Sequence, residues 1–287
     1  MIGGDVMRVG FVGAGKVGCS LGKYLAEQKT QVSGYYSKSP QSARDAAEFT
    51  KSNAFETLEA VIEESDILFL TVPDGQIAPV WEKIKKYPIH GKMICHCSGS
   101  LSSKIFYDIE KTGATGFSIH PLLAVSNRHE SYSEIPKALF TIEGSPQGIE
   151  AMEAFCREKN LQVQRIAADV KTRYHGAAVM ASNLVLGLLA CAQSELEQCG
   201  FTQENAKKAL EPLVTGNVER YLQTSAHDAL TGPIERADVQ TVERHLHTFC
   251  DLHARIYRDL SLEVLEIAKG KHPHRDYHQL YEILEEK

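Results

Sequence analysis

The chain has 287 residues, too many for a small stapled fold and enough for one large domain or two ordinary ones. Hydrophobic residues make up 43% and charged residues 24%, which excludes a wholly disordered chain. Lys and Arg number 31 against 37 Asp and Glu, a net charge of −6 with no dense basic run, so nucleic acid is not an expected partner.

The first half alternates short β-branched runs with helical stretches. Residues 8–12 read as a strand, 16–28 as a helix and 31–36 as a second strand. A helix over 40–51 starts at Pro40, with Ser39 as its N-cap. A short strand at 54–55 and a short helix over 58–64 come next. Residues 66–72 are nearly continuously apolar, as a strand covered on both faces requires. A helix over 77–86 leads to a strand at 93–97 and a Ser98-Gly99-Ser100 turn. Strands at 116–120 and 138–142, a helix over 147–159 and a last strand at 162–166 complete this half. Such alternation predicts an α/β fold, a Rossmann-type doubly wound parallel sheet.

From Asp169 onward the pattern changes to long amphipathic runs at about 170–199, 203–223, 238–269 and 276–286. Gly200, Thr231-Gly232-Pro233 and Pro273 separate them. The expected organisation is a Rossmann-like domain over 1–167 and an all-helical substrate and dimerisation domain over 168–287. The longest nearly apolar window, 179–192, holds Ser182 and Asn183 and is shorter than the ~20 residues that cross a bilayer. The opening Met1 to Arg8 lacks a basic flank followed by an apolar run. Seven scattered cysteines include only one close pair, Cys95-x-Cys97, which is not the Cys-x-x-Cys of zinc or redox sites. These features predict reduced thiols, no membrane and a cytoplasmic location.

Gly13-Ala14-Gly15-Lys16-Val17-Gly18 fits G-x-G-x-x-G and stands between a predicted strand and a predicted helix, the context that gives the pattern meaning. Gly13 permits the tight turn, Gly15 lets a pyrophosphate approach the backbone, and Gly18 lets helix and strand pack closely. The pyrophosphate would meet the free N–H groups opening the helix, Lys16 and Val17 among them. NAD enzymes place Asp or Glu about 20 residues on, at the end of the second strand. Here Tyr36-Ser37-Lys38-Ser39-Pro40 offers two hydroxyls and a cation instead. Ser37, Lys38 and Ser39 suit a 2′-phosphate, which an Asp would repel, so NADP is expected over NAD. Arg44 is a weaker second candidate.

Ligands of open α/β sheets bind beyond the carboxyl ends of the strands. Thr71-Val72-Pro73-Asp74, His96-Cys97-Ser98-Gly99-Ser100 and His120-Pro121-Leu122 end there, so Val72, Pro73, Ser98 and Gly99 are expected beside the cofactor. Pro73 also reads simply as a strand terminator. In the next predicted helix, Lys171, His175, Ala178 and Ser182 share one face at 100° per residue, with Asn183 on its flank. This polar stripe either faces a cleft or satisfies itself inside a packed helix. The apolar stretch 184–192 calls for cover on all sides, which predicts a homodimer through the helical half.

The Rossmann half resembles the NADP-binding half of pyrroline-5-carboxylate reductases and β-hydroxyacid dehydrogenases. The whole chain, roughly 7–268, resembles a bacterial family with a Rossmann-like domain followed by a helical domain of unknown function. Six motifs carry the likeness: the 13–18 glycine turn, His96-Cys97-Ser98-Gly99-Ser100-Leu101, His120-Pro121-Leu122, Lys171-x-x-Tyr174-His175-x-Ala177-Ala178, Ser182-Asn183, and Thr231-Gly232-Pro233-Ile234-x-Arg236-x-Asp238. The family usually has glycine where this chain has Ala237, and the β-hydroxyacid dehydrogenases carry Lys-x-x-x-Asn where it has Lys171-x-x-x-His175. The resemblance implies an NADP-linked oxidoreductase, with Lys171 at the general acid/base position.

Sequence and resemblance together predict hydride transfer between NADPH and a small carbonyl or imine substrate. Lys171 or His175 supplies the proton, Ser98 and Asn183 hold the acceptor, and His120 borders the pocket. The rival reading is a non-catalytic NADP(H)-binding sensor or interaction module; a structural dimer without nucleotide fits the intact glycine spacing poorly. The Thr231–Asp238 stretch reads equally as a turn with Asp238 as helix cap or as a substrate grip through Thr231 and Arg236. His272-Pro273-His274 with His278 reads as a solvated tail rather than a metal site, and His245 and His247 lie on different helix faces, so no metal is expected.

Overall fold

The computed structural model describes residues 7–285. The segment 1–6, on which the targeting expectation partly rests, lies outside the described residues. One eight-stranded sheet forms the core, in the order β3-β2-β1-β4-β5-β6-β7-β8. Its strands are β1 (Arg8–Val12), β2 (Gln31–Tyr36), β3 (Asn53–Phe55), β4 (Ile67–Leu70), β5 (Met93–His96), β6 (Thr115–Pro121), β7 (Leu139–Gly144) and β8 (Gln162–Arg165). The helices α1 (Lys16–Glu27), α2 (Pro40–Thr50), α3 (Leu58–Glu63), α4 (Asp74–Ile84) and α5 (Ile149–Glu158) connect them. β4 is buried along its whole length: Ile67 and Phe69 join one hydrophobic cluster while Leu68 and Leu70 join the other, as period-two alternation requires of a strand between two layers. Ser39 caps α2, its Oγ accepting from Ser42 N at 3.3 Å.

The sheet departs from the expected parallel pattern at one place: β7 runs antiparallel to β6. A parallel return needs a crossover, usually helical. The connection between these strands holds only a 3-10 segment (Ser131–Lys137), and the shorter antiparallel return results. α4 also begins three residues earlier than the pattern suggested. Pro73, extended at φ −54° and ψ 146°, ends the strand segment and serves as the N-cap position of α4.

The chain divides into two compact units, the first ending at Ser182 and the second starting at Asn183. The sheet itself ends at Arg165, where the sequence pattern changes. α6 (Lys171–Val179) belongs to the first unit, and a π-helical turn (Met180–Leu184) precedes α7 (Val185–Gln198). By length and apolarity the helical run Ala168–Gln198 is sufficient to cross a membrane, more than the 179–192 window alone suggests.

The second unit continues with α8 (Gln203–Gln223), α9 (Ala226–Ala229), α10 (Val239–Thr248), α11 (Asp251–Lys271) and α12 (His278–Glu285). The expected single helix over 238–269 is two helices, because Phe249 and Cys250 adopt extended backbone. Packing outweighs periodicity here: Phe249 turns into an aromatic cluster, 5.5 Å from Tyr257 and 6.3 Å from His245 between ring centroids. Asp238 is the N-cap of α10 and accepts from Thr241 N at 3.1 Å, which fulfils the capping reading of this motif.

Ala237, immediately before that cap, sits at φ +58°. A side chain in this left-handed region is strained, and glycine is not. Ala237→Gly is expected to raise stability by about 0.5–1 kcal/mol, and Asp238→Ala to lower it by about 1 kcal/mol. Urea unfolding at fixed pH checks both, and a destabilised Ala237→Gly would contradict the assignment of strain.

Candidate functional site

The glycine turn is built by close approach. Gly13 has φ +106°, and a Cβ there would lie 2.6 Å from the carbonyl oxygen of Thr71. A Cβ on Gly18 would lie 2.3 Å from Thr71 Oγ1, which already donates to Gly13 O at 2.9 Å. Thr71, at the end of β4, thus pins the turn to the sheet. Gly15 differs: nothing lies within 4 Å of its Cβ position, and it occupies the N-cap of α1 without a side-chain cap. The N–H groups of the first helical turn, Lys16 to Gly18, have no intrahelical partner by helix geometry. They form an open anion cradle at the positive end of the helix. The Ala14 side chain is buried, and those of Lys16 and Val17 point away from the core, exposed and half-buried.

This turn opens on a cavity of about 730 Å³. Gly13, Ala14 and Gly15 line it on one side, Tyr36, Ser37 and Lys38 from the end of β2 on another, and Val72, Pro73 and Gln76 on a third. Lys38 Nζ donates to Gln76 Oε1 at 3.0 Å across the rim. Ser39 is not in the wall, since its hydroxyl caps α2, and neither is Arg44. Lys83, Lys86 and Tyr87, which the sequence pattern does not single out, do line it, so three lysines face one carboxylate, Glu56. The lysines at 83 and 86 are hidden in the sequence because they lie far from the glycine turn and carry no motif.

A second group of polar residues gathers at the ends of β5 and β6. Asp74, the first residue of α4, accepts from Ser98 Oγ at 2.8 Å and Ser100 Oγ at 2.9 Å. Ser98 Oγ in turn accepts from the N–H groups of Ser100 and Leu101. Lys171 is 2% exposed, and its ammonium donates to Ser98 O at 2.9 Å and Ser118 Oγ at 2.8 Å. Burial lowers its pKa. His120 Nδ1 bonds to Tyr174 Oη at 2.7 Å, and the rings of His120 and His175 stand 6.3 Å apart and nearly perpendicular. Gly99 lies against both: a Cβ there would be 2.6 Å from His175 Nδ1 and 2.9 Å from His120 Nε2.

The structure therefore brings Ser98, Gly99, His120, Lys171 and His175 together within the first unit. Asn183 is placed in the π turn at the start of the second unit, and Ser182 Oγ donates to Ala178 O at 2.6 Å. A π turn, which adds a residue to the hydrogen-bonded ring, begins at Met180, after Lys171, His175 and Ala178 and before Ser182 in the expected shared face. Asp74, Ser118 and Tyr174 are partners that sequence reasoning missed. Tyr174 was visible as part of the Lys171-x-x-Tyr174-His175 motif, but its partner His120 is 54 residues away in the chain.

Outside this region, Glu195, Cys250 and His253 place a carboxylate, a thiol and an imidazole within 4.8 Å of one another in the second unit, with His253 Nδ1 already against Glu195 Oε1. His272 pairs with Glu235, and His278 sits 3.8 Å from Glu282. His245 and His247 bond separately, to Tyr257 Oη and to Glu243 O.

Residues 2–121 match the model of a Rossmann-like domain, and residues 138–264 match that of a domain of unknown function, DUF2520. The chain joins these two domains. Comparison with curated proteins gives no match. Among solved structures it resembles protein TM1727 from Thermotoga maritima, with 25% identity and a TM-score of 0.74 over 92% of this chain and 99% of that one. It also resembles the pyrroline carboxylate reductase of Plasmodium falciparum, solved with NADP bound, at 14% identity and TM-score 0.60 over 93% and 100% of the two chains. A reductive aminase from Aspergillus terreus, in complex with NADPH and ethyl-5-oxohexanoate, matches at 14% identity and TM-score 0.59 over 98% and 93%. The last two likenesses show a common fold.

His96 and His120 both have pKa values pushed down to about 4, chiefly by burial. The folded chain then takes up these protons less readily than the unfolded one. Their contribution is complete above pH ~6.5 and is lost as pH falls toward 4. For the fully buried His96 the loss is on the order of 2 kcal/mol. Unfolding midpoints at pH 7 and 4.5 check this; the drop is expected to shrink in His96→Gln, and an equal drop would contradict it.

Proposed function

We propose that the chain is an NADPH-dependent reductase acting on a small carbonyl or imine substrate. The observation that carries this reading is the open cradle at Gly15, continuous with a lysine-rimmed cavity that lacks a carboxylate at the end of β2. The residues fit NADPH, which supplies the hydride when bound. The N–H groups of Lys16, Val17 and Gly18 hold its pyrophosphate. Ser37 and Lys38 receive its 2′-phosphate, and Lys83 and Lys86 add positive potential along the same wall. Val72 and Pro73 border the cofactor on the α4 side, and Ser98 and Gly99 border its reactive end. The names of the structural neighbours support the same cofactor class.

Lys171 and His175 divide the work that sequence alone leaves to either. The Lys171 ammonium is buried and already donates to Ser98 O and Ser118 Oγ, so it holds the 98–100 loop. His175 is half-buried; its Nδ1 is the buried, inward nitrogen, without a hydrogen-bond partner among the described residues, which leaves Nε2 to meet a substrate. We assign the proton donor to His175. Ser98 contributes through its backbone, because its hydroxyl is bound to Asp74. His120 borders the substrate in this reading. The apolar side chains of Met180, Leu184, Leu186, Leu188, Leu213 and Leu222, all more than 40% exposed, support a homodimer through the helical half.

Calorimetric titration should show NADPH binding at least about tenfold tighter than NADH, with the preference lost in Lys38→Glu. NADPH consumption against pools of keto acids, aldehydes and cyclic imines should reveal turnover. His175→Ala should cut that turnover by about 10²–10⁴ and leave NADPH affinity unchanged. Binding without any turnover would favour a nucleotide sensor, and no binding would remove both readings.

A further inference from the structure

We infer that Tyr174 and His120 are positioning residues that fix the tautomer of His175, placing its proton on Nε2. The inference rests on the reading of His175 as proton donor, and it starts from a hydrogen bond. Tyr174 Oη and His120 Nδ1 are 2.7 Å apart, inside a half-buried cluster at the end of β6. A neutral imidazole carries one N–H and one lone pair. Burial, with Lys171 and His175 nearby, keeps His120 uncharged near neutral pH, its pKa pushed down to about 4. Burial also raises the Tyr174 pKa, so its hydroxyl keeps its proton. A protonated phenol can donate or accept. With the Thr141 hydroxyl beside it able to donate to Oη, donation by Tyr174 to His120 Nδ1 is the direction that also leaves an N–H on His120 Nε2 for the unpaired His175 Nδ1. The remaining proton of His120 is then on Nε2.

Gly99 decides where that N–H points. His120 Nε2 and His175 Nδ1 both crowd the single spot where a side chain on Gly99 would begin, at 2.9 Å and 2.6 Å. The two nitrogens therefore border the same small space, the one that glycine leaves open. His175 Nδ1 is buried and has no partner among the described residues. Buried polar atoms of this kind are rarely left unpaired in native proteins. A small approach of the two rings gives Nδ1 the donor it lacks, the Nε2–H of His120. His175 then accepts at Nδ1 and carries its own proton at Nε2, the nitrogen left for a substrate. The charged and titratable groups around His120 are Lys171, His175, Asp74 and His96, and none of them supplies a competing acceptor bond in the structure.

The string Tyr174–His120–His175 resembles in logic, though not in residues, the use of a buried partner to orient a catalytic imidazole. Its two ends lie on one helix, α6, so residues 174 and 175 act together only because β6 delivers His120 between them. Neither Tyr174 nor His120 needs to touch substrate for this.

The test is nitrogen-15 NMR of the imidazoles in the nucleotide-free full chain at pH 7. His120 and His175 are each expected as a single Nε2–H tautomer. In Tyr174→Phe the donor to His120 Nδ1 is gone, and both histidines are expected to become tautomer mixtures. Gly99→Ala should drive the rings apart and release His175 alone. A wild-type His175 carrying its proton on Nδ1 would overturn the inference without any variant, as would unchanged tautomers in a folded Tyr174→Phe. The readout needs neither cofactor nor substrate, so its failure is separate from a failure to bind NADPH.

Discussion

The site depends on one buried cation. Lys171 brings an ammonium into the protein interior, where removing it from water costs several kcal/mol. Two acceptors offset that cost, the carbonyl of Ser98 just past β5 and the hydroxyl of Ser118 within the adjacent β6. The bonds tie the first turn of α6 to residues 73 and 53 positions earlier in the chain. Once α6 is held there, Tyr174 and His175 are carried to His120 and Gly99. The same loop is held from the other side by Asp74, which accepts from both Ser98 and Ser100. A polar network of this kind is costly if half satisfied and specifying if complete.

The two halves of the site obey different physics. The glycine turn is a backbone device: Thr71 and the missing Cβ atoms of Gly13 and Gly18 allow close packing, and the open side of Gly15 leaves helix N–H groups exposed to an anion. Lys38, Lys83 and Lys86 add positive charge along the same cavity wall. The histidine cluster is a side-chain device in which burial suppresses charge on His96 and His120. One region presents lysines and open helix N–H groups, and the other gathers partly buried imidazoles around a glycine.

Much of this was legible in the sequence because it is local. The buried strand β4 shows as an unbroken apolar run, Ser39 announces a cap, and the spacing of Gly13, Gly15 and Gly18 announces the turn. The missing acid after Tyr36 is a reading of one tetrapeptide. What failed depends on contacts distant in sequence or on competition that periodicity ignores. The antiparallel β7 results from a connection with no crossover helix, which strand propensity cannot show. The break at Phe249 results from an aromatic cluster with Tyr257 and His245. The π turn at 180–184 carries no signal in the helical periodicity. Asp74 was in view as a strand-end residue, but its role needs Ser98, which only the fold brings near. Ala237 is the reverse case: the resemblance leads one to expect glycine there, and the backbone takes the left-handed conformation with alanine in place.

Hydrogen exchange on Lys171→Met tests the central role of that lysine most directly. Methionine keeps the apolar stem and removes the charge and both donor bonds. Protection of the amides at Ser100 and Leu101 and along the first turns of α6 is predicted to fall, while β1 and α1 stay protected. Unchanged protection at 100–101 and 171–175 in a folded variant would contradict the account.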